Sequence, residues 1–170
     1  LFIVAMAKML GFSRAMQEFN KVLAIRGTVL PVTLEQVTLR AVFEDGSRAS
    51  GETAIVQEGK PIRNISLHPS RCRPLPQVLN AIEEAEAIFL GPGSLYTSVL
   101  PNLLVPGVKE ALLKSSAPCL YICNVMTQPG ETEGFSVAEH LKVLFRHGCE
   151  ALIDGVVVNS STDLPPALLE

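Results

Sequence analysis

The segment AIFLGPGSLYTSVLPN, residues 87–102, indicates the fold of this chain most clearly. Its first four residues form a short apolar run that predicts a buried strand, and glycine and proline follow directly. Helical patterns flank the segment, over residues 76–85 and from Pro106 onward, where proline suits the first turn of a helix. From residue 75 onward strand and helix alternate, which predicts a parallel sheet covered by helices on both faces.

The other elements extend this α/β interpretation in both directions. Residues 119–123 and 155–159 are apolar runs that predict two more parallel strands, and a capping box at Ser136 and Glu139 predicts a helix that ends at Gly148. Upstream, residues 37–43 alternate in polarity, and turn signals precede further strands over residues 48–55 and 62–67. The predicted fold is therefore a parallel α/β portion over residues 75–160 with a small antiparallel β-meander within residues 26–68.

Composition excludes several classes of protein. With 48% hydrophobic and 18% charged residues among 170, the chain can bury a substantial core. The net charge of −3 and the lack of a block rich in Lys and Arg argue against nucleic acid as a partner. Residues 1–12 are apolar but shorter than the roughly 20 residues of a membrane span, so we expect a buried helix and no membrane insertion. A second helix is predicted over residues 13–24.

Cysteine and histidine spacing argues against a metal site. Cys119 and Cys123 lie four residues apart on a predicted strand, about 13 Å, and His140 and His147 lie seven apart on a predicted helix, about 10 Å. Neither pair can share one metal ion. The four cysteines are also too few and too apolar in context for a disulfide framework, so we expect four free thiols and a cytoplasmic protein.

Both ends of the sequence read as interrupted patterns. The chain opens in a helical pattern without a capping residue, and residues 164–170 resemble a helix start with nothing after it. We therefore expect a fragment of a larger protein.

The first candidate ligand segment is a predicted loop, residues 91–102, that follows the predicted strand at residues 87–90. In open parallel sheets, ligands bind beyond the carboxyl ends of the strands, and glycines let the backbone approach an anion closely. Hydroxyl and amide groups then follow within a few residues. The predicted binding residues of this segment are Gly91, Pro92, Gly93, Ser94, Thr97, Ser98 and Asn102. The alternative is an ordinary tight turn.

The second candidate segment, residues 124–134, follows the predicted strand at 119–123 and is longer than the usual βα connection. Asn124, Thr127 and Gln128 offer amide and hydroxyl groups to a base or a sugar. Glu131 and Glu133 could hold a metal ion with substrate phosphates or act as a base, but carboxylates on a surface loop are more often solvated. A solvated surface loop remains the alternative for the whole segment, and no residue is assigned as catalytic or as a metal ligand.

Two long motifs, GPGSLYTSVLPNLL at residues 91–104 and YICNVMTQ at residues 121–128, resemble those of the gluconeogenesis factor family. Gly130-Glu131-Thr132, the RGTVLP segment at residues 26–31 and the hairpin at residues 43–46 also fit this family. The family is related to the 2-phospho-lactate transferases of deazaflavin cofactor synthesis, and the similarity covers nearly the whole chain.

The resemblance implies that residues 1–170 are part of a single CofD-like nucleotide-binding domain with a Rossmann-like fold. It further implies a cytoplasmic location, binding of a nucleotide-sugar such as UDP-N-acetylglucosamine, and a role in cell shape and cell-wall metabolism during gluconeogenic growth. The family's glycine-rich phosphate loop and Asp-Asp-Gly-Gly segment are expected before Leu1. The acidic residues on which the related transferases rely are expected there too.

Two functions therefore compete. The first is a regulatory protein that binds a nucleotide-sugar, and the second is a transferase of phosphate-containing groups from a nucleotide-linked donor to a deazaflavin acceptor. Transfer needs a base or metal ligands near the moving phosphate, and only Glu131 and Glu133 are available here, so binding is favoured. No cofactor is assigned, and a divalent metal ion bound with the nucleotide and a homodimer both stay open.

Overall fold

A computed structural model describes residues 2–12, 14–15, 18, 22 and 26–160 of the chain. The strands of this part are β1 Thr38–Phe43, β2 Arg48–Ser50, β3 Ile62–His68, β4 Ile88–Leu90, β5 Cys119–Ile122 and β6 Gly155–Val157. Its α-helices are α1 Phe2–Leu10, α2 Glu52–Gln57, α3 Pro76–Glu83, α4 Leu100–Leu103, α5 Val108–Lys114 and α6 Val137–Arg146. A π-helical turn, Leu95–Val99, leads directly into α4, and a 3-10 turn, Glu150–Leu152, precedes β6. The helix predicted over residues 13–24 and the helix start predicted at residues 164–170 lie largely or wholly outside the described residues.

The parallel sheet has the strand order β4-β5-β6, and all of its pairings are parallel. Leu90, Tyr121 and Val156 lie side by side across it, and the central Tyr121 is fully buried. A central strand that exposes no polar side chain to water is typical of parallel sheets, because other parts of the chain cover both faces of such a sheet. The predicted α/β fold with a parallel sheet is confirmed.

The second sheet is antiparallel, as predicted, but its strand order is β2-β1-β3 and differs from that of a meander. The strand predicted over residues 48–55 is wrong beyond Ser50. Gly51 has φ 91°, which ends the strand, and the chain continues as α2 with Ile55 buried. Because α2 moves the chain off the edge of β2, the next strand pairs with β1 instead.

Both sheets contribute to one hydrophobic cluster. Phe43 and Leu67 of the antiparallel sheet, Tyr96 of the π-helical turn and Tyr121 of β5 are all members. Tyr96 Oη also donates a hydrogen bond to the carbonyl oxygen of Ile62, at 3.2 Å. The antiparallel sheet is therefore packed into the core of the parallel portion.

Two helical predictions have opposite outcomes. The capping box is confirmed, since Ser136 Oγ accepts from the Glu139 amide and the Glu139 carboxylate accepts from the Ser136 amide, at 3.3 and 2.6 Å. The prediction that residues 95–102 form a loop is wrong, because they are helical. The apolar side chains there recur at helical spacing and are buried: Leu95, Tyr96, Val99, Leu100 and Leu103.

The amino-terminal helix α1 is present where the apolar pattern predicts it. Its burial is not as predicted, because Met9 is 82% exposed. Within the described residues, no helix combines the length and the apolar character that crossing a membrane requires.

Candidate functional site

Two polar segments leave the same edge of the parallel sheet. Residues 91–94 follow β4 and residues 123–134 follow β5, and these strands are direct neighbours. Gly91 directly follows β4 with φ 90°, and a Cβ on it would be 3.0 Å from the carbonyl oxygen of Ile122 at the end of β5. A side chain at this position would clash with the neighbouring strand, so glycine allows the two segments to meet.

Side-chain amides join the two segments. Asn124 Oδ1 accepts from the Gly93 amide at 3.1 Å, and Asn124 Nδ2 donates to the Gly93 carbonyl oxygen at 2.9 Å. Gln128 Nε2 donates to Ser94 Oγ at 2.9 Å. Four of the predicted binding residues thus contact each other across 31 to 34 positions of sequence. We call this group, Gly93, Ser94, Asn124 and Gln128, the junction.

A buried carboxylate fixes the start of the helical segment beside the junction. Glu131 is only 8% exposed, and its Oε1 accepts from Thr97 Oγ1 at 2.7 Å while Oε2 accepts from the Tyr96 amide at 3.3 Å. An acceptor at a helix start satisfies amides that have no partner within the helix, and its negative charge suits the helix dipole. The expectation of a solvated Glu131 is therefore wrong, whereas its neighbour Glu133 is exposed.

The second segment is also docked against the antiparallel sheet's helix. Gly130 has φ 78°, and a Cβ on it would lie 2.5 Å from the carbonyl oxygen of Val56 in α2. Thr132 is fully buried, and its Oγ1 accepts from the Gln128 amide at 3.0 Å. The contact of Gly130 with α2 and the hydrogen bond to Thr132 thus constrain the backbone of residues 128–132, which positions the Gln128 side chain in the junction.

The junction keeps hydrogen-bonding capacity for a ligand. Because Ser94 Oγ accepts from Gln128, its own hydrogen is free to be donated. Gln128 Oε1 is buried and has no partner among the described residues. Ser98, Pro92 and Thr127 are exposed near these groups in sequence. A hydroxyl donor beside an amide acceptor suits a phosphate oxygen together with a sugar hydroxyl or a base.

Two predicted residues have other contacts. Thr97 Oγ1 is the donor to Glu131, and Asn102 Nδ2 donates to the Ser98 carbonyl oxygen of its own helical segment at 2.7 Å. Asn102 is exposed, and its side-chain amide bonds to a backbone carbonyl rather than to a residue of the junction. Sequence reasoning overlooked Val125 and Met126, which are 73% and 72% exposed between Asn124 and Gln128. Such apolar groups can cover the face of a flat ring.

Burial favours the neutral forms of the tyrosine and cysteine side chains of the core. Burial raises the pKa of Tyr96 to about 12 and raises the pKa of the Tyr121 hydroxyl as well. The four cysteines are free and buried, as predicted, and burial is the main cause of the raised pKa of each thiol. Within the described residues, no three His, Cys, Asp or Glu side chains are grouped to hold a metal ion. The residues of the junction offer neutral hydroxyl, amide and backbone groups for hydrogen bonding.

A family model described as 2-phospho-L-lactate transferase CofD matches residues 1–170. The chain belongs to the CofD family. Within this family, the gluconeogenesis factor of Bacillus subtilis (strain 168) is 48% identical over 167 residues, which are 97% of this chain and 52% of the relative. The gluconeogenesis factor of Halalkalibacterium halodurans is 44% identical over 160 residues, which are 94% of this chain and 50% of the relative.

A solved structure has the same fold. The crystal structure of a Bacillus halodurans protein matches with a TM-score of 0.90 and 43% sequence identity, and the match covers 96% of this chain and 53% of that one. The chain thus spans about half the length of the relatives that it matches.

Proposed function

We propose that this chain contributes part of a nucleotide-sugar site in a regulatory protein, with UDP-N-acetylglucosamine as the type of ligand. The observation that supports this proposal most is the junction, where no described residue uses the Ser94 hydroxyl hydrogen or the Gln128 Oε1 acceptor. They lie at the carboxyl edge of adjacent parallel strands, which is where open parallel sheets bind ligands. A phosphate oxygen accepts from Ser94 in this proposal.

The biological role that we propose is taken from the names of two similar proteins. Two proteins at 48% and 44% identity are called gluconeogenesis factors. We extend that role to this chain as a cytoplasmic protein that regulates cell shape and cell-wall metabolism during gluconeogenic growth. A nucleotide-sugar is a suitable signal for this role, because it carries the sugar units from which a cell wall is built.

The transferase function is the second candidate, and the description of the family model favours it. The geometry of Glu131 disfavours a catalytic role for that residue, because both of its oxygens already accept hydrogen bonds from Tyr96 and Thr97. Using it as a base or metal ligand would leave those donors unsatisfied. Glu133 is exposed and has no hydrogen bond or ion pair with any residue that the structure describes. Binding is therefore the better-supported function of these residues.

Calorimetric titration of the full-length protein separates the two functions. We expect UDP-N-acetylglucosamine to bind with saturable heat, and more tightly than GDP or a deazaflavin acceptor. Transfer would instead be revealed by a product formed from a nucleotide-linked donor and the deazaflavin, followed by mass spectrometry. Product formation at catalytic turnover, without nucleotide-sugar binding, would reject the regulatory proposal.

A further inference from the structure

The outward face of the antiparallel sheet is polar and carries positive charge. Strand alternation places Leu39, Ala41 and Phe43 of β1 in the core, so the residues between them face away from it. The register gives three rows on this face: Thr38 beside His68; Arg40 between Ser50 and Ser66; and Val42 between Arg48 and Asn64. None of these eight positions is acidic.

The two arginines on this face have no partner for their charge. Arg40 and Arg48 are exposed, and neither guanidinium has a hydrogen bond or an ion pair with a described residue. By contrast, Lys60 is within 3.1 Å of Asp45 and Arg146 is within 3.8 Å of Glu44. This face therefore carries two arginines and no carboxylate, although the chain has 17 acidic and 14 basic residues. Its positive potential favours anions.

Register places the two guanidinium groups within reach of one anion. Arg40 is opposite Ser50 and Val42 is opposite Arg48, so the arginines are diagonal neighbours on adjacent strands. Diagonal neighbours in an antiparallel pair are about 7–8 Å apart, and both side chains are longer than half of that distance. A concavity of about 530 Å³ lies over them and is lined by Arg40, Arg48, Ser50 and Ser66.

We propose that this concavity binds the phosphate group of a small phosphorylated metabolite. Each guanidinium offers paired N–H donors that match phosphate oxygens, and the hydroxyls of Ser50 and Ser66 on either side of Arg40 add two more donors. The site lies on the opposite face of β1 from the core in which Tyr96 is buried. It is thus separate from the junction and independent of the nucleotide-sugar proposal.

Titration of pyrophosphate into the full-length protein tests the site, with backbone amide chemical shifts as the readout. We expect saturable shifts on β1, β2 and β3 that weaken as salt is added. Arg40→Ala and Arg48→Ala should each lower the affinity roughly 10-fold, since each loses a charge-assisted contact. Ser66→Ala should have a smaller effect.

The matched control is Lys114→Ala, which removes the same charge from an exposed position at the end of α5. Equal weakening by Lys114→Ala and Arg40→Ala would show that pyrophosphate responds only to net charge, and would overturn the proposal. Absence of saturable shifts on the sheet would do the same. Vesicles that contain phosphatidic acid provide a second arm: retention on vesicles without binding of pyrophosphate would mean that the face recognises a membrane surface, which also rejects the site. Unchanged thermal unfolding of the arginine variants confirms that they fold.

Discussion

At the scale of single residues, the two glycines of the GPG sequence have different tasks. Gly91 has φ 90° and lies against the Ile122 carbonyl oxygen, so the fold itself requires it. At Gly93 a Cβ would be 3.5 Å from Ser98 Cβ, which is an ordinary contact. The backbone amide and carbonyl of Gly93 are both bonded to Asn124. The sequence interpretation explained both glycines by the close approach of a ligand. The structure of the protein alone explains the glycine at position 91 but not the one at position 93.

Replacing each glycine with alanine should therefore have unequal effects on stability. We expect Gly91→Ala to lower the free energy of unfolding by at least about 1–2 kcal/mol, because an L-residue at this φ is strained. Gly93→Ala should change the free energy of unfolding by less than about 0.5 kcal/mol, because the added Cβ would make only an ordinary van der Waals contact. Urea denaturation of the two variants measures the difference. Equal losses of stability would contradict the assigned geometry.

At the scale of elements, the sequence predicted the features that depend on interactions between residues close together in the chain. The three parallel strands are short apolar runs bounded by glycine or proline, and the capping box of α6 lies within four residues. The helical segment at residues 95–103 also had a local signal, the recurring apolar side chains, but its hydroxyl groups suggested a loop. The burial of Glu131 had no local signal, because its two donors lie 34 and 35 positions away in sequence. The strand order β2-β1-β3 depends on α2, and the turn residues of the sequence do not predict it.

Glu131 should stabilise the contact between the helical segment that starts at Leu95 and the segment that follows β5. Glu131→Ala leaves the Tyr96 amide and the Thr97 hydroxyl without their acceptor, so we expect a loss of about 1–3 kcal/mol in the free energy of unfolding. Exposed Glu133 is the matched control, and Glu133→Ala should stay within about 0.5 kcal/mol of the wild type. A double-mutant cycle with Thr97→Val should show coupling. Strictly additive losses would mean that the Thr97–Glu131 contact does not stabilise the fold.

At the scale of the whole molecule, a buried histidine connects α6 to the antiparallel sheet. His147 Nε2 accepts from the Ile65 amide at 3.3 Å, so Nδ1 carries the proton and donates to the Val143 carbonyl oxygen at 2.8 Å. The contact with Ile65 requires the neutral ring, because a protonated Nε2 cannot accept a hydrogen bond. Burial lowers the pKa of His147 below its ordinary value of 6.5, and the positive charges of Arg146 and Lys109 lower it further.

The lowered pKa of His147 predicts that stability falls in mildly acidic solution. The unfolded chain takes up a proton near pH 6.5, whereas the folded chain resists until a lower pH, so protonation favours unfolding in that interval. The free energy of unfolding should therefore decrease as the pH falls through about 6.5 toward the lower pKa of the folded state. His147→Gln keeps a polar side chain but does not titrate, and urea denaturation should show a weaker pH dependence for it. An identical pH dependence in both proteins would exclude His147 as the cause.

The central claim is that the junction binds a nucleotide-sugar, and calorimetry of the Ser94→Ala variant tests it most directly. Ser70→Ala, which removes an exposed hydroxyl from another part of the chain, is the matched control. In the full-length protein, Ser94→Ala should weaken UDP-N-acetylglucosamine binding by roughly 10- to 100-fold, since one hydrogen bond to a charged phosphate is lost. Ser70→Ala should bind as the wild type does. Wild-type affinity in a folded Ser94→Ala protein would contradict the account, because the segment after β4 would then be a turn without a binding role.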